Sequence, residues 1–220
     1  MQKIIHSLVA AIFLCGGWLP LHANEAGNPL STDAAREVVQ AFVESVQSYQ
    51  ADFTQILQNN SGEVLEEEAG QLWLARPGQF RWEYTVPWER QIVANEESIW
   101  LYDAELEQVT VRSAEGALLQ SPAALLVGDT TALEDYGFSG HRKADGTVMV
   151  KLEPLTGHGD FVSIGLGFAQ GELVLLELYD RFDQHTLIHF SAIVRNPSLN
   201  PALFSFELPD GADVIDQRIN

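Results

Sequence analysis

The sequence predicts a mainly β fold of the α+β class: a curled, incompletely closed antiparallel β-barrel of about eleven strands, covered by a long N-terminal helix and short central helices. Three observations carry that expectation. Short runs of strand-forming residues extend from residue 50 to 112 and from 137 to 195, punctuated by turn residues such as Asn59-Asn60-Ser61-Gly62, Pro77-Gly78, Asp145-Gly146 and Gln170-Gly171. Before them, from Ser31, apolar residues recur at three- and four-residue steps. Between Ser121 and Tyr136 the strand rhythm breaks, and Pro122 followed by Ala123-Ala124-Leu125-Leu126-Val127 reads as a short helix with proline in its first turn. So many strands exceed what a flat sheet carries comfortably, so the sheet curls and acquires an inside.

Taken in order, the chain opens with Lys3, an apolar stretch from Leu8 to Leu14, and Leu21-His22-Ala23, the charge, apolar core and small-residue exit of a secretory signal. Residues 1–23 are expected to be cleaved and 24–220 to form one domain. A lipid-anchoring signal ending at Cys15 fits less well, because Leu14 is large where a small residue belongs. The helix that follows is capped by Ser31, Thr32 or Asp33, and its apolar stripe comprises Val38, Val39, Phe42, Val43, Val46 and Tyr49. Strands are expected at about 50–58, 63–76, 79–85, 90–95, 98–103, 106–112, 137–142, 147–154, 160–168, 172–180 and 185–195. A further helical turn follows Thr131, and Phe204-Ser205-Phe206 is read as a last short strand.

Alternation assigns the faces. Leu72, Leu74 and Arg76 point one way; Phe80, Trp82 and Tyr84 share a face opposite Arg81 and Glu83; Trp100 and Tyr102 form a further aromatic pair. An arginine beside leucines must find acceptors, and the carbonyls of a helix C-terminus or a loop in the covering layer are the candidates. Glu66-Glu67-Glu68 reads as an exposed, solubilising strand end.

Composition narrows function further. The formal net charge is −19, and loss of Lys3 with the signal makes it −20. Nucleic-acid binding is excluded, since phosphate contacts need clustered Lys and Arg. His185 and His189 share a strand face about 13 Å apart, too far to hold one zinc directly. No HExxH, phosphate loop or glycine-bracketed serine elbow is present, and Gly157-His158-Gly159-Asp160 reads as a hairpin turn. No enzyme, metal or cofactor is expected.

The remaining residues resemble those of the periplasmic outer-membrane lipoprotein carrier family, LolA. The resemblance runs from the first helix to the end of the chain. It is carried by Ala51-Asp52-Phe53-Thr54-Gln55, Gly70-Gln71-Leu72-Trp73, Arg76-Pro77 with Phe80 and Trp82, Ile99-Trp100-Leu101-Tyr102, Ser121-Pro122, and Phe204-Ser205-Phe206-Glu207-Leu208-Pro209 leading to Asp216. It implies a soluble periplasmic chaperone, expected as a monomer. Such a chaperone takes acylated lipoproteins from an inner-membrane ATP-driven release complex (LolCDE-like) and delivers them to an outer-membrane receptor (LolB-like). It also implies that Arg76 latches the lid, and that Val39, Val43, Val46, Leu72, Leu74, Phe80, Trp82, Tyr84, Trp100 and Leu125 line the acyl-chain cavity. A LolB-like lipid-anchored receptor and a lipoprotein-sensing regulatory domain share the architecture and stay open as alternatives.

Overall fold

The structure, a computed structural model, describes residues 27–114, 130–156 and 161–218. Helix α1 spans Thr32–Ser45, and Ser31 is its N-cap, its Oγ accepting from the Ala34 amide at 3.2 Å. Ala35, Val39, Phe42 and Val43 form its buried stripe. The helix ends earlier than the apolar spacing suggests. Val46 is an extended C-cap, and the Asn196 side-chain oxygen accepts from the amides of Gln47 (2.7 Å) and Ser48 (3.2 Å), turning the chain out of the helix. Tyr49 therefore belongs to a strand, where its hydroxyl donates to the Leu173 carbonyl at 2.6 Å.

Among the described residues, thirteen strands form one sheet: β1 (Asn28–Leu30), β2 (Ser48–Gln58), β3 (Val64–Ala75), β4 (Gln79–Val86), β5 (Arg90–Ala94), β6 (Ser98–Asp103), β7 (Gln108–Ser113), β8 (Tyr136–Arg142), β9 (Val148–Pro154), β10 (Phe161–Ala169), β11 (Glu172–Asp180), β12 (His185–Arg195) and β13 (Asp213–Asp216). Their order is β1-β8-β9-β10-β11-β12-β2-β3-β4-β5-β6-β7-β13, antiparallel except for the β13–β7 pair, with β1 and β13 as unjoined edges. The count exceeds the expected eleven by these two edges. Neither carries a local signal: β1 is three residues with Pro29 at its centre, and β13 is exposed along its whole length.

The expected strand at Phe204–Phe206 is not formed. Pro201–Phe204 is instead a 3-10 turn that Asn200 caps by accepting from the Ala202 amide at 3.1 Å, because proline presets the turn and lacks the amide a strand would use. The turn anticipated after Thr131 is present as a 3-10 helix, Thr130–Asp135. The expected helix at Pro122–Val127 and the Gly157–Gly159 turn lie outside the described residues.

Helix α1 lies against β8 and β9 on one face of the sheet. Gly140 permits this approach: a Cβ there would stand 2.7 Å from the Met149 carbonyl oxygen and 3.4 Å from the Ala35 Cβ. The core on this face joins α1 to strands from both halves of the sheet. An aromatic chain runs through it, Phe168 to Phe42 (5.5 Å between ring centres), Phe42 to Tyr49 (6.0 Å), Tyr49 to Phe190 (6.4 Å), Phe190 to Trp82 (6.2 Å) and Trp82 to Phe53 (4.9 Å).

Candidate functional site

The candidate site is the inner face of β2 to β5 with the carboxyl end of α1 at its rim. Register sets its rows. Leu74 opposes Phe80, Leu72 opposes Trp82, and Trp82 opposes Ile92, so the inward residues of three strands form an apolar ladder. Leu72 and Leu74 are each 2 % exposed, Phe80 4 % and Trp82 7 %. Val39 and Val43 share the same core from the helix. Tyr84 continues the face past Trp82, half-buried, its ring edge-on to Phe53 at 5.2 Å.

At the rim, the β3–β4 turn brings Arg76 under the end of α1. Its amide donates to the Gln47 carbonyl at 2.8 Å, and its guanidinium Nε donates to the Val46 carbonyl at 2.7 Å. Val46 is fully buried at the helix C-cap, and α1 has no basic residue in its own last turn. Arg76 thus supplies a cation where the helix dipole and the unsatisfied terminal carbonyls favour one. Asn196 adds a second clamp, its Nδ2 donating to the Ser45 carbonyl at 3.0 Å.

One expected lining position is not placed there. Trp100 lies on the opposite face of β6: its neighbours Ile99 and Leu101 turn toward the core, while its own ring stacks on Phe206 at 6.1 Å and 14°. The C-terminal segment crosses that outer face, with Tyr102 also against Phe206 (6.3 Å) and the Leu203 carbonyl accepting from Arg81 Nη1 at 3.4 Å. Alternation separates Trp100 from the core face but says nothing about which face is covered. Leu125 lies outside the described residues.

Sequence reasoning missed a polar row beyond Tyr84. Glu68, expected at an exposed strand end, is 5 % exposed. It has the strand parity of Leu72 and Leu74, which was the available signal. Gln55 sits directly across from it and donates to its Oε2 at 2.6 Å, Arg90 forms an ion pair with its other oxygen, and the Tyr84 hydroxyl donates to Gln55 Oε1 at 3.3 Å. The Arg90 guanidinium also lies 4.6 Å over the Tyr84 ring. Burial raises the Glu68 pKa above the ordinary carboxylate value; Arg90 opposes the rise and Glu66 adds to it. Burial likewise raises the Tyr84 phenol. The inner face is therefore an apolar wall bounded by Arg76 at one end and a hydrogen-bonded charged row at the other. Such an apolar surface suits hydrocarbon, and among the described residues it presents no nucleophile beside a base.

Comparison with known proteins accords with this geometry. The sequence model described as "Outer membrane lipoprotein carrier protein LolA" matches residues 44–207. An outer-membrane lipoprotein carrier protein of Dechloromonas aromatica is 36% identical over 216 residues, covering 98% of this chain and 99% of its own. One from Nitrosomonas europaea is 37% identical over 216 residues, with 98% and 99% covered. Among solved structures, an uncharacterized conserved protein from Thermus thermophilus superposes with a TM-score of 0.53 at 15% identity, over 86% of this chain and all of its own (100%), which shows a shared fold. With a family match across most of its length and relatives aligned nearly end to end, the chain belongs to the outer membrane lipoprotein carrier family LolA.

Proposed function

We propose that this chain is a soluble, non-enzymatic periplasmic carrier. Residues 1–23 direct export and are removed, and residues 24–220 work as one monomeric domain. The carrier receives acylated lipoproteins from an inner-membrane ATP-driven release complex, holds their acyl chains against the apolar inner face, and passes them to an outer-membrane receptor. The helical cover closes over the chains, and Arg76 latches it. The observation that supports this best is the conjunction of that face, walled by Leu72, Leu74, Phe80 and Trp82, with a guanidinium bonded to the carboxyl end of the covering helix. The relatives' name, lipoprotein carrier, points the same way. Among the described residues, no helix is long and apolar enough to cross a membrane.

Magnitudes order the steps. Burying acyl chain is worth about 0.8 kcal/mol per methylene, so a sixteen-carbon chain gains on the order of 12 kcal/mol. A charge-assisted hydrogen bond such as that of Arg76 is worth about 1.5–3 kcal/mol, so the cargo can displace the latch. The same chain is equally stable in a bilayer, so extraction needs an external source such as ATP. Delivery then runs downhill if the receptor holds the chains more tightly than the carrier does.

The experiment is to isolate the mature protein from periplasm under detergent-free conditions and analyse it by mass spectrometry. The expected result is an N-terminus at Asn24 and a co-purifying triacylated lipoprotein. An acylated Cys15, or a carrier that never retains acylated cargo even when outer-membrane delivery is blocked, would overturn the reading.

A further inference from the structure

The apolar ladder contains one polar atom that the hydrogen bonding around it does not satisfy. The indole Nε1 of Trp82 is buried and has no acceptor among the described residues, in a side chain that is 7 % exposed. Its ring is enclosed by aromatic neighbours, Phe53 at 4.9 Å, Phe190 at 6.2 Å and Tyr84 at 6.4 Å, none of which accepts its N–H. The acceptors one row further on serve other donors, and none of them takes the indole N–H. Gln55 Oε1 takes the Tyr84 hydroxyl, and the two oxygens of Glu68 take Gln55 and Arg90. A buried donor without a partner is costly, and native proteins rarely leave one so.

The chemistry of the site says what would satisfy it. A pure hydrocarbon laid against Phe53 and Leu72 leaves the indole N–H unpaired. A charged acceptor would be desolvated among aromatic rings without a counter-charge within the ladder. An uncharged carbonyl oxygen attached to hydrocarbon meets both demands. We propose that Trp82 Nε1–H is a specificity-determining donor that binds the ester carbonyl of an acyl chain, so that the interior selects acyl esters over equally long alkyl chains. This rests on the carrier reading above and adds to it the linkage chemistry of the ligand.

The test compares two synthetic peptides that differ only in their two ester carbonyls. One carries two hexadecanoyl ester chains on an S-glyceryl cysteine, the other the matched hexadecyl ethers. Titrated into the purified mature protein, the ester should bind about fivefold to tenfold more tightly than the ether, the range expected of one net hydrogen bond. In Trp82→Phe, where the wall contact changes for both ligands alike, the ratio of ester to ether affinity should fall to about one. In the unmutated protein, the Trp82 indole N–H resonance should move downfield with ester and not with ether, a readout that does not depend on the variant's folding. Equal affinities for the two ligands, a preference that survives in Trp82→Phe, or an indole resonance that responds alike to both would overturn the proposal and leave the carrier reading standing. Failure of the unmutated protein to bind either peptide would overturn the carrier reading itself, and this inference with it.

Discussion

Replacing Arg76 by leucine removes the donor to the Val46 carbonyl, a 2.7 Å bond to a residue that is itself buried. The loss includes this charge-assisted hydrogen bond, about 1.5–3 kcal/mol, and the favourable placement of a cation at a helix C-terminus, about 0.3–1 kcal/mol. Helix α1 has no basic residue in its last turn, so nothing within the helix replaces that cation. If the bond is made in the closed, empty carrier and broken in the loaded one, its loss shifts the balance toward the loaded form by about 2–4 kcal/mol, or thirtyfold or more in the equilibrium constant. The assay preloads wild type and Arg76→Leu with a fluorescent diacyl peptide and follows its release into excess receptor or vesicles. Release from the variant should be slower by about tenfold or more. In ligand-free protein, urea unfolding should show a stability loss of about 2 kcal/mol. Arg76→Lys, which keeps a point charge without the planar fork, should fall between the two. A variant that unloads as fast as wild type would refute the latch, even if it were destabilised, since the stability change would then reflect a local tether alone.

Gly140→Val should strain the β8–β9 pairing and crowd α1, because even a Cβ meets the Met149 carbonyl oxygen of β9 at 2.7 Å and the Ala35 Cβ of α1 at 3.4 Å; a destabilisation of about 1–3 kcal/mol is expected by thermal unfolding, and an unchanged midpoint would mean that neither contact is as close as described. For Glu68, whose folded-state pKa is raised by burial above the ordinary 4.5, the folded form binds the proton more tightly than the unfolded one. Its contribution is thus fully present below pH 4.5 and declines as the pH rises through the folded value. Wild type should accordingly lose stability relative to Glu68→Gln as the pH rises above 4.5, and a difference that is flat or rises with pH in chemical denaturation would contradict this. Trp100→Phe should leave acyl-peptide affinity within about twofold of wild type, while Phe206→Ala should alter Trp100 fluorescence; a large loss of affinity in Trp100→Phe would return that ring to the ligand.

Local sequence determined a good deal here. The punctuation of turn residues set eleven of the strands to within a few residues, and strand parity separated Leu72 and Leu74 from Trp73, and Phe80 and Trp82 from Arg81. That an arginine at the end of an apolar strand would need carbonyl acceptors also follows from local chemistry, and Val46 provides one. Parity names two sides of a strand without saying what lies over either. The aromatic Trp100 is accordingly under the C-terminal segment, and the acidic Glu68 inside, because of partners such as Phe206 and Arg90 that are distant in sequence. The edges β1 and β13 exist through pairing with β8 and β7 alone, and α1 stops at Ser45 because Asn196, just past the end of β12, takes the amides that would extend it. Sequence by itself therefore determined eleven of the strands, their two faces and the apolar character of the wall, since these depend on neighbouring residues. Which face became an interior, where its polar row lies and what grips the helix were decided by contacts between residues far apart in the chain, some over a hundred positions, whose energies no local pattern encodes.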